Sequence, residues 1–80
     1  MDIRRLVGRN VKKIRRERGL SQEGLAFECE IYRTYISGVE RDIRNPTVTV
    51  LNKIAQALKV PAAKLLEEDK ATTAGPARRR

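Results

Sequence analysis

Histidine and tryptophan are missing from this chain, and cysteine and aromatic residues are nearly so. Its 80 residues include no His, no Trp, one Cys, one Phe and two Tyr. Without His there is no imidazole for acid–base catalysis or for metal ligation. With Cys29 alone there is neither an intrachain disulfide nor a Cys-rich zinc site. No apolar run approaches the roughly 20 residues of a membrane span. The start, Met1-Asp2-Ile3-Arg4-Arg5, is not followed by the apolar stretch of a secretory signal. These absences predict a reduced, soluble, cytoplasmic chain with no cofactor, no metal and no small-molecule ligand, and they argue against an enzyme.

Positive charge is in excess. Eighteen Lys and Arg face ten Asp and Glu, giving a net charge of +8 and an isoelectric point near 10.4. That balance calls for a polyanionic partner, either nucleic acid or an anionic membrane surface. A chain this short forms one small domain that buries roughly 60% of its unfolded surface. The bases are uneven: Arg4, Arg5, Arg9, Lys12, Lys13, Arg15, Arg16 and Arg18 all precede Gly19. Among them Ile3, Leu6, Val7, Val11 and Ile14 recur at spacings of three and four, the apolar stripe of an amphipathic helix. Gly19 stops that helix.

Ser21 caps a second helix, with Glu23 near the positive end of its dipole and Leu25 and Ala26 facing inward. Residues 29–31 form a tight turn, and a third helix follows over about 32–41, with Ile36 and Val39 inward. Asn45-Pro46 keeps residues 42–46 in a loop. Thr47 caps a fourth helix that runs through Lys59 and buries Val50, Leu51, Ile54, Ala55 and Leu58. Pro61 suits the first position of a short fifth helix ending near Leu66 or Glu67. Beyond Asp69 the apolar period is lost, and residues 69–80 read as a disordered basic tail ending Arg78-Arg79-Arg80. The expectation is an all-α fold of five helices in one domain over residues 1–68, with a helix-turn-helix over about 21–41.

The ordered series Leu20-Ser21-Gln22-Glu23-Gly24-Leu25-Ala26, Tyr35-Ile36-Ser37-Gly38-Val39-Glu40-Arg41, Asn45-Pro46-Thr47 and Leu51-Asn52-Lys53-Ile54-Ala55-Gln56-Ala57-Leu58 resembles Cro/CI-type, lambda-repressor-like helix-turn-helix regulators over residues 3–66. The run from Arg33 to Arg41 further resembles the controller proteins of restriction–modification systems. The chain departs from the family pattern at three places. Glu30 stands where Gly is common in the interhelical turn, Asp42 replaces a frequent Gly after the third helix, and Tyr32 stands where a small polar cap is usual.

An α-helix fits the roughly 12 Å major groove and presents its N-terminal residues to base edges. Arg33, Thr34 and Ser37 then read bases, with Tyr35 toward the flank or the backbone. Arg33 can pair bidentately with guanine, and the Thr34 methyl can pack on a thymine methyl. The resemblance implies that Gln22 grips a phosphate, with Arg44, Asn45 and Thr47 clamping the phosphates on the other side. It also implies a structural ion pair between Arg15 and Glu40. Cys29 is expected as a buried filler; Phe27 is either core or an exposed contact.

One recognition helix reads only a few base pairs, so a homodimer on a pseudo-palindromic operator is expected. Its interface is assigned to about 58–67, with Val60, Ala62, Leu65 and Leu66 as candidates. Leu65 can alternatively complete the core of the monomer. The implied function is a DNA-binding transcriptional regulator, in its narrower form a controller protein, with double-stranded DNA, a second copy and RNA polymerase as partners. Two other classes compete. One is an antitoxin-like or phage-repressor-like module whose main partner is another protein. The other is a membrane-surface peptide, disfavoured because the core requires the stripe from Ile3 to Ile14.

Overall fold

Asp2 starts the first helix by capping it: its carboxylate accepts a hydrogen bond from the backbone N–H of Arg4 at 2.9 Å. In the computed structural model, which describes residues 2–68, this helix (α1) spans Ile3–Glu17. It is followed by α2 (Gln22–Cys29), α3 (Arg33–Glu40) and α4 (Val48–Leu58). The last element, where the sequence suggested a short fifth helix, is a 3-10 helix, Ala62–Leu66. Pro61 lies just outside it as the flanking residue, with φ −69° and ψ 150°. No strand occurs among the described residues.

The caps explain the helix starts. Ser21 Oγ accepts from Gly24 N–H at 2.9 Å, and Thr47 Oγ1 accepts from Val50 N–H at 3.1 Å. Tyr32, at the start of α3, makes no side-chain cap bond. Every α-helix then ends in the same hydrogen-bonded stop, in which one left-handed residue reverses the chain. Among the described residues the left-handed ones are Gly19, Glu30, Asp42 and Lys59, with φ of 73°, 59°, 63° and 62°. After each, the next amide reaches back five residues: Leu20 to Arg15, Ile31 to Ala26, Ile43 to Gly38 and Val60 to Ala55, at 2.8 to 3.0 Å. Only Gly19 adopts this conformation without steric cost. Lys59 thus ends α4 rather than extending it.

The core is aliphatic and lies where the helices converge. Val11, Leu25, Ile36, Val39, Ile54, Leu58 and Leu65 are fully enclosed, and Val7, Ile14, Ala26, Cys29, Leu51 and Ala55 complete the cluster. Val50 is only half-buried. Ile3 departs from the expected stripe: it is 56% exposed. It occupies the first turn of α1, ahead of Gly8, where α1 meets the end of α3. A Cβ on Gly8 would lie 2.5 Å from the Val39 carbonyl oxygen and 3.2 Å from that of Glu40. The helices therefore touch backbone to backbone at this point.

One α1 side chain and the residue that follows the helix secure the C-terminal part. Asn10 Nδ2 donates to the carbonyl oxygens of Leu65 and Glu67, both at 2.8 Å. Arg18 Nε donates to the Leu58 carbonyl at 2.8 Å, satisfying one of the orphan acceptors at the end of α4.

Candidate nucleic-acid interface

The turn between α2 and α3 is set by Glu30, whose left-handed backbone brings Ile31 back against the core. This orients α3 so that Ile36 and Val39 point inward and Arg33 and Thr34 are exposed on its first turn. Ser37, half-buried, follows one turn later. The three proposed base-reading side chains at 33, 34 and 37 thus share one side of the helix.

Tyr35 has a different environment. It is half-buried, its hydroxyl donates a long bond of 3.5 Å to the Asn45 carbonyl, and Arg44 sits over its ring with the guanidinium carbon 5.5 Å from the centroid. Gly38 makes this arrangement possible. Its carbonyl accepts from the amides of both Ile43 and Arg44, at 2.8 and 3.1 Å, and the Arg44 stem runs directly over it. The loop that carries Arg44 and Asn45 is thereby folded onto α3. Thr47 uses one oxygen lone pair to cap α4, and its hydroxyl hydrogen remains to donate elsewhere.

On the opposite flank, Arg15 and Glu40 form a forked ion pair. Nε meets Oε2 at 2.6 Å, Nη2 meets Oε1 at 3.1 Å, and Nη1 donates to the Leu20 carbonyl at 2.7 Å. The two side chains are 9% and 2% exposed, so removing either partner would strand a charge at a cost of about 3–5 kcal/mol. Gln22, half-buried on the first turn of α2, donates from Nε2 to the same Glu40 Oε1 at 3.1 Å. Gln22 therefore stands on one side of the α3 face, and Arg44, Asn45 and Thr47 on the other.

The abundant bases ahead of Gly19 divide. Arg15 and Arg18 are committed to internal acceptors, Arg4 pairs with Asp2 at 3.0 Å, and Arg5 lies 3.7 Å from Asp42. Arg9, Lys12 and Arg16 are exposed. Phe27 is 81% exposed, which resolves its alternative against the core, and Cys29 is buried with its thiol 3.9 Å from the Lys53 carbonyl. No group of acidic or cysteine side chains suited to a metal ion occurs among the described residues, and no described helix is long and apolar enough to cross a membrane.

One assigned interface residue needs correction. Leu65 is fully enclosed within the monomer, because the 3-10 turn points it between α1 and α4, so it cannot face a second copy. Leu66 is 43% exposed, while Val60 and Ala62 are half-buried against the core. Arg78, Arg79 and Arg80 lie outside the described residues. Sequence reasoning missed Gly38, Gly8, Asn10 and the Gln22–Glu40 bond. A glycine inside so short a helix as α3 was the one visible signal, since it suggests a close approach.

A helix-turn-helix family model matches residues 11–65. The chain belongs to the helix-turn-helix family. Control protein C.BamHI of Bacillus amyloliquefaciens is 46% identical over 67 residues, covering 82% of this chain and 83% of that protein. Among solved structures, the hypothetical transcription factor NHTF from Neisseria superposes with a TM-score of 0.84 at 38% identity, over 89% of this chain and 82% of that one. The restriction–modification controller protein C.AhdI from Aeromonas hydrophila does so with a TM-score of 0.76 at 37% identity, over 78% of this chain and 94% of that one. The helix-turn-helix member described here is accordingly a transcriptional regulator rather than an enzyme.

Proposed function

We propose that this chain binds double-stranded DNA as a homodimer on a pseudo-palindromic operator and serves as the controller of a restriction–modification operon. The observation that carries the reading is the exposed first turn of α3, with Arg33, Thr34 and Ser37 on one side, flanked by Gln22 and by Arg44, Asn45 and Thr47. Arg33, Thr34 and Ser37 read base edges in the major groove; the flanking groups hold phosphates. Tyr35 contributes chiefly by supporting Arg44. Such a regulator works in the cytoplasm, on nucleoid DNA. RNA polymerase is a further partner of such a regulator.

The controller assignment is supported by extent as well as identity, because the match spans 83% of the C.BamHI control protein. A phage-repressor-like role is the second reading, favoured by 36% identity to the immunity repressor of Bacillus phage phi105, where the match spans 44% of that protein.

Selection of bound sequences from a random duplex pool at about 0.15 M salt tests the proposal, since that stringency suppresses purely electrostatic binding. An enriched inverted repeat with half-site centres about 34 Å apart is expected. Binding that enriches nothing and vanishes as salt rises would reject it and bring the antitoxin-like, protein-partner reading forward.

A further inference from the structure

Glu40 is the last residue of α3, yet its carboxylate joins three separate elements. Oε2 accepts from Arg15 Nε at 2.6 Å, and Oε1 accepts from Arg15 Nη2 and from Gln22 Nε2, each at 3.1 Å. An ionised carboxylate only accepts, so the Gln22 amide must turn its nitrogen toward Glu40. That nitrogen carries a second hydrogen, and Gln22 is only half-buried. Arg15 and Glu40 would make a complete fork without Gln22. The extra bond reaches the first turn of α2, on the flank of the exposed α3 surface.

We infer that Glu40 is a positioning residue for the DNA backbone contact: it holds the Gln22 amide with one N–H inward and the other ready for a phosphate oxygen. Arg15 completes the arrangement by neutralising a carboxylate that would otherwise repel that phosphate. The Gln22 side chain is ordered before DNA arrives, so its rotamer entropy is not lost on binding. This inference rests on the reading of Gln22 as a phosphate contact.

A double-variant cycle separates it from a purely structural ion pair. Glu40→Gln removes a negative charge from a chain of net +8. A carboxylate that acts only through its charge would on removal leave affinity for DNA unchanged or improved, and one that only staples helices would lose affinity additively with Gln22→Ala. Positioning predicts neither. Glu40→Gln should weaken binding to a random-sequence duplex roughly three- to tenfold, and should add no further loss once Gln22 is replaced by Ala. Tighter binding, or losses that add in the Gln22→Ala/Glu40→Gln double variant, would overturn the inference. Unimpaired binding by Gln22→Ala alone would instead remove the phosphate contact and the inference with it, a failure visible in the single variant.

Thermal melting confirms that each variant is folded. Should Glu40→Gln not fold, Glu40→Asp keeps the charge opposite Arg15 while withdrawing the carboxylate by one methylene, and the same cycle is run with it. A second readout needs no DNA. The Gln22 side-chain amide protons, assigned by their loss in Gln22→Ala, should exchange with solvent more slowly in the parent protein than in the Glu40 variant. Equal exchange rates would show that Glu40 does not hold the amide.

Discussion

Gly38 and Arg44 occupy adjoining space: a Cβ on Gly38 would stand 2.8 Å from Arg44 Cγ and 3.3 Å from its Cδ. The stem of Arg44 fills the volume that any side chain at position 38 would need, and its guanidinium then rests on Tyr35. Gly38→Ala should displace Arg44 while gaining up to about 1 kcal/mol of helix propensity. The expected result is a melting temperature nearly unchanged or raised, together with weaker DNA binding. Anisotropy titrations beside thermal melts check it; unaltered affinity would remove Arg44 from the interface.

Arg33 and Gln22 should fail in different ways. Arg33→Ala is expected to cost about 1–3 kcal/mol and to relax preference at a single base position. Gln22→Ala should weaken binding evenly across sequences. Repeating the duplex selection with each variant compares them, and identical specificity profiles would take base reading away from α3.

Gly8→Ala puts a methyl group against main-chain oxygens of Val39 and Glu40, which cannot swing aside. Helix propensity gains about 1 kcal/mol, but overpacking costs about 1–3 kcal/mol and α3 must shift. A net fall in melting temperature of about 5–10 °C is expected, read by circular dichroism.

Leu65 and Leu66 are neighbours with opposite roles. Leu65→Ala should cost about 2–5 kcal/mol of stability, the ordinary result of emptying an enclosed site. Leu66→Glu should leave the fold intact and shift the protein to monomer in sedimentation equilibrium. A dimer that survives Leu66→Glu would place the interface on another surface.

Burial pushes the Cys29 thiol up to about 11, and the neighbouring Glu28 charge adds to the effect. The folded thiol therefore keeps its proton at pH values where the unfolded chain has lost it. Unfolding then releases a proton, and stability should decline as pH rises from about 9 to about 11. Cys29→Ala should flatten that part of the profile. At neutral pH a thiol reagent should modify Cys29 only as fast as the chain opens.

The helix starts were legible because their signals are local. Ser21 and Thr47 are side chains whose hydroxyls can reach amides three residues ahead, and the structure uses both in that way. The stripe from Leu6 to Ile14 was legible because period alone decides it. Ile3 matched the same period, yet period carries no information about where the neighbouring helices end. The last element was legible as a short helix but not as a 3-10 one, because five residues give too little pattern to separate the two helix types and Pro61 suits the flank of either. For Leu65 and Leu66 a sequence of two adjacent apolar residues cannot say which one turns inward. Gln22 and Glu40 are 18 residues apart, so no spacing rule could have joined them. The same holds for Asn10 and Leu65, which are 55 residues apart.

The four left-handed stops, at Gly19, Glu30, Asp42 and Lys59, each close with bonds between residues no more than five apart. Each of the four α-helices therefore carries its own terminator, which can form before any distant part of the chain has arrived. Searching is then confined to docking short, already bounded rods, an arrangement whose low contact order goes with folding in microseconds to milliseconds. A newly made copy would reach its working shape almost as soon as its last helix is complete, so folding itself adds little to the time before it can act.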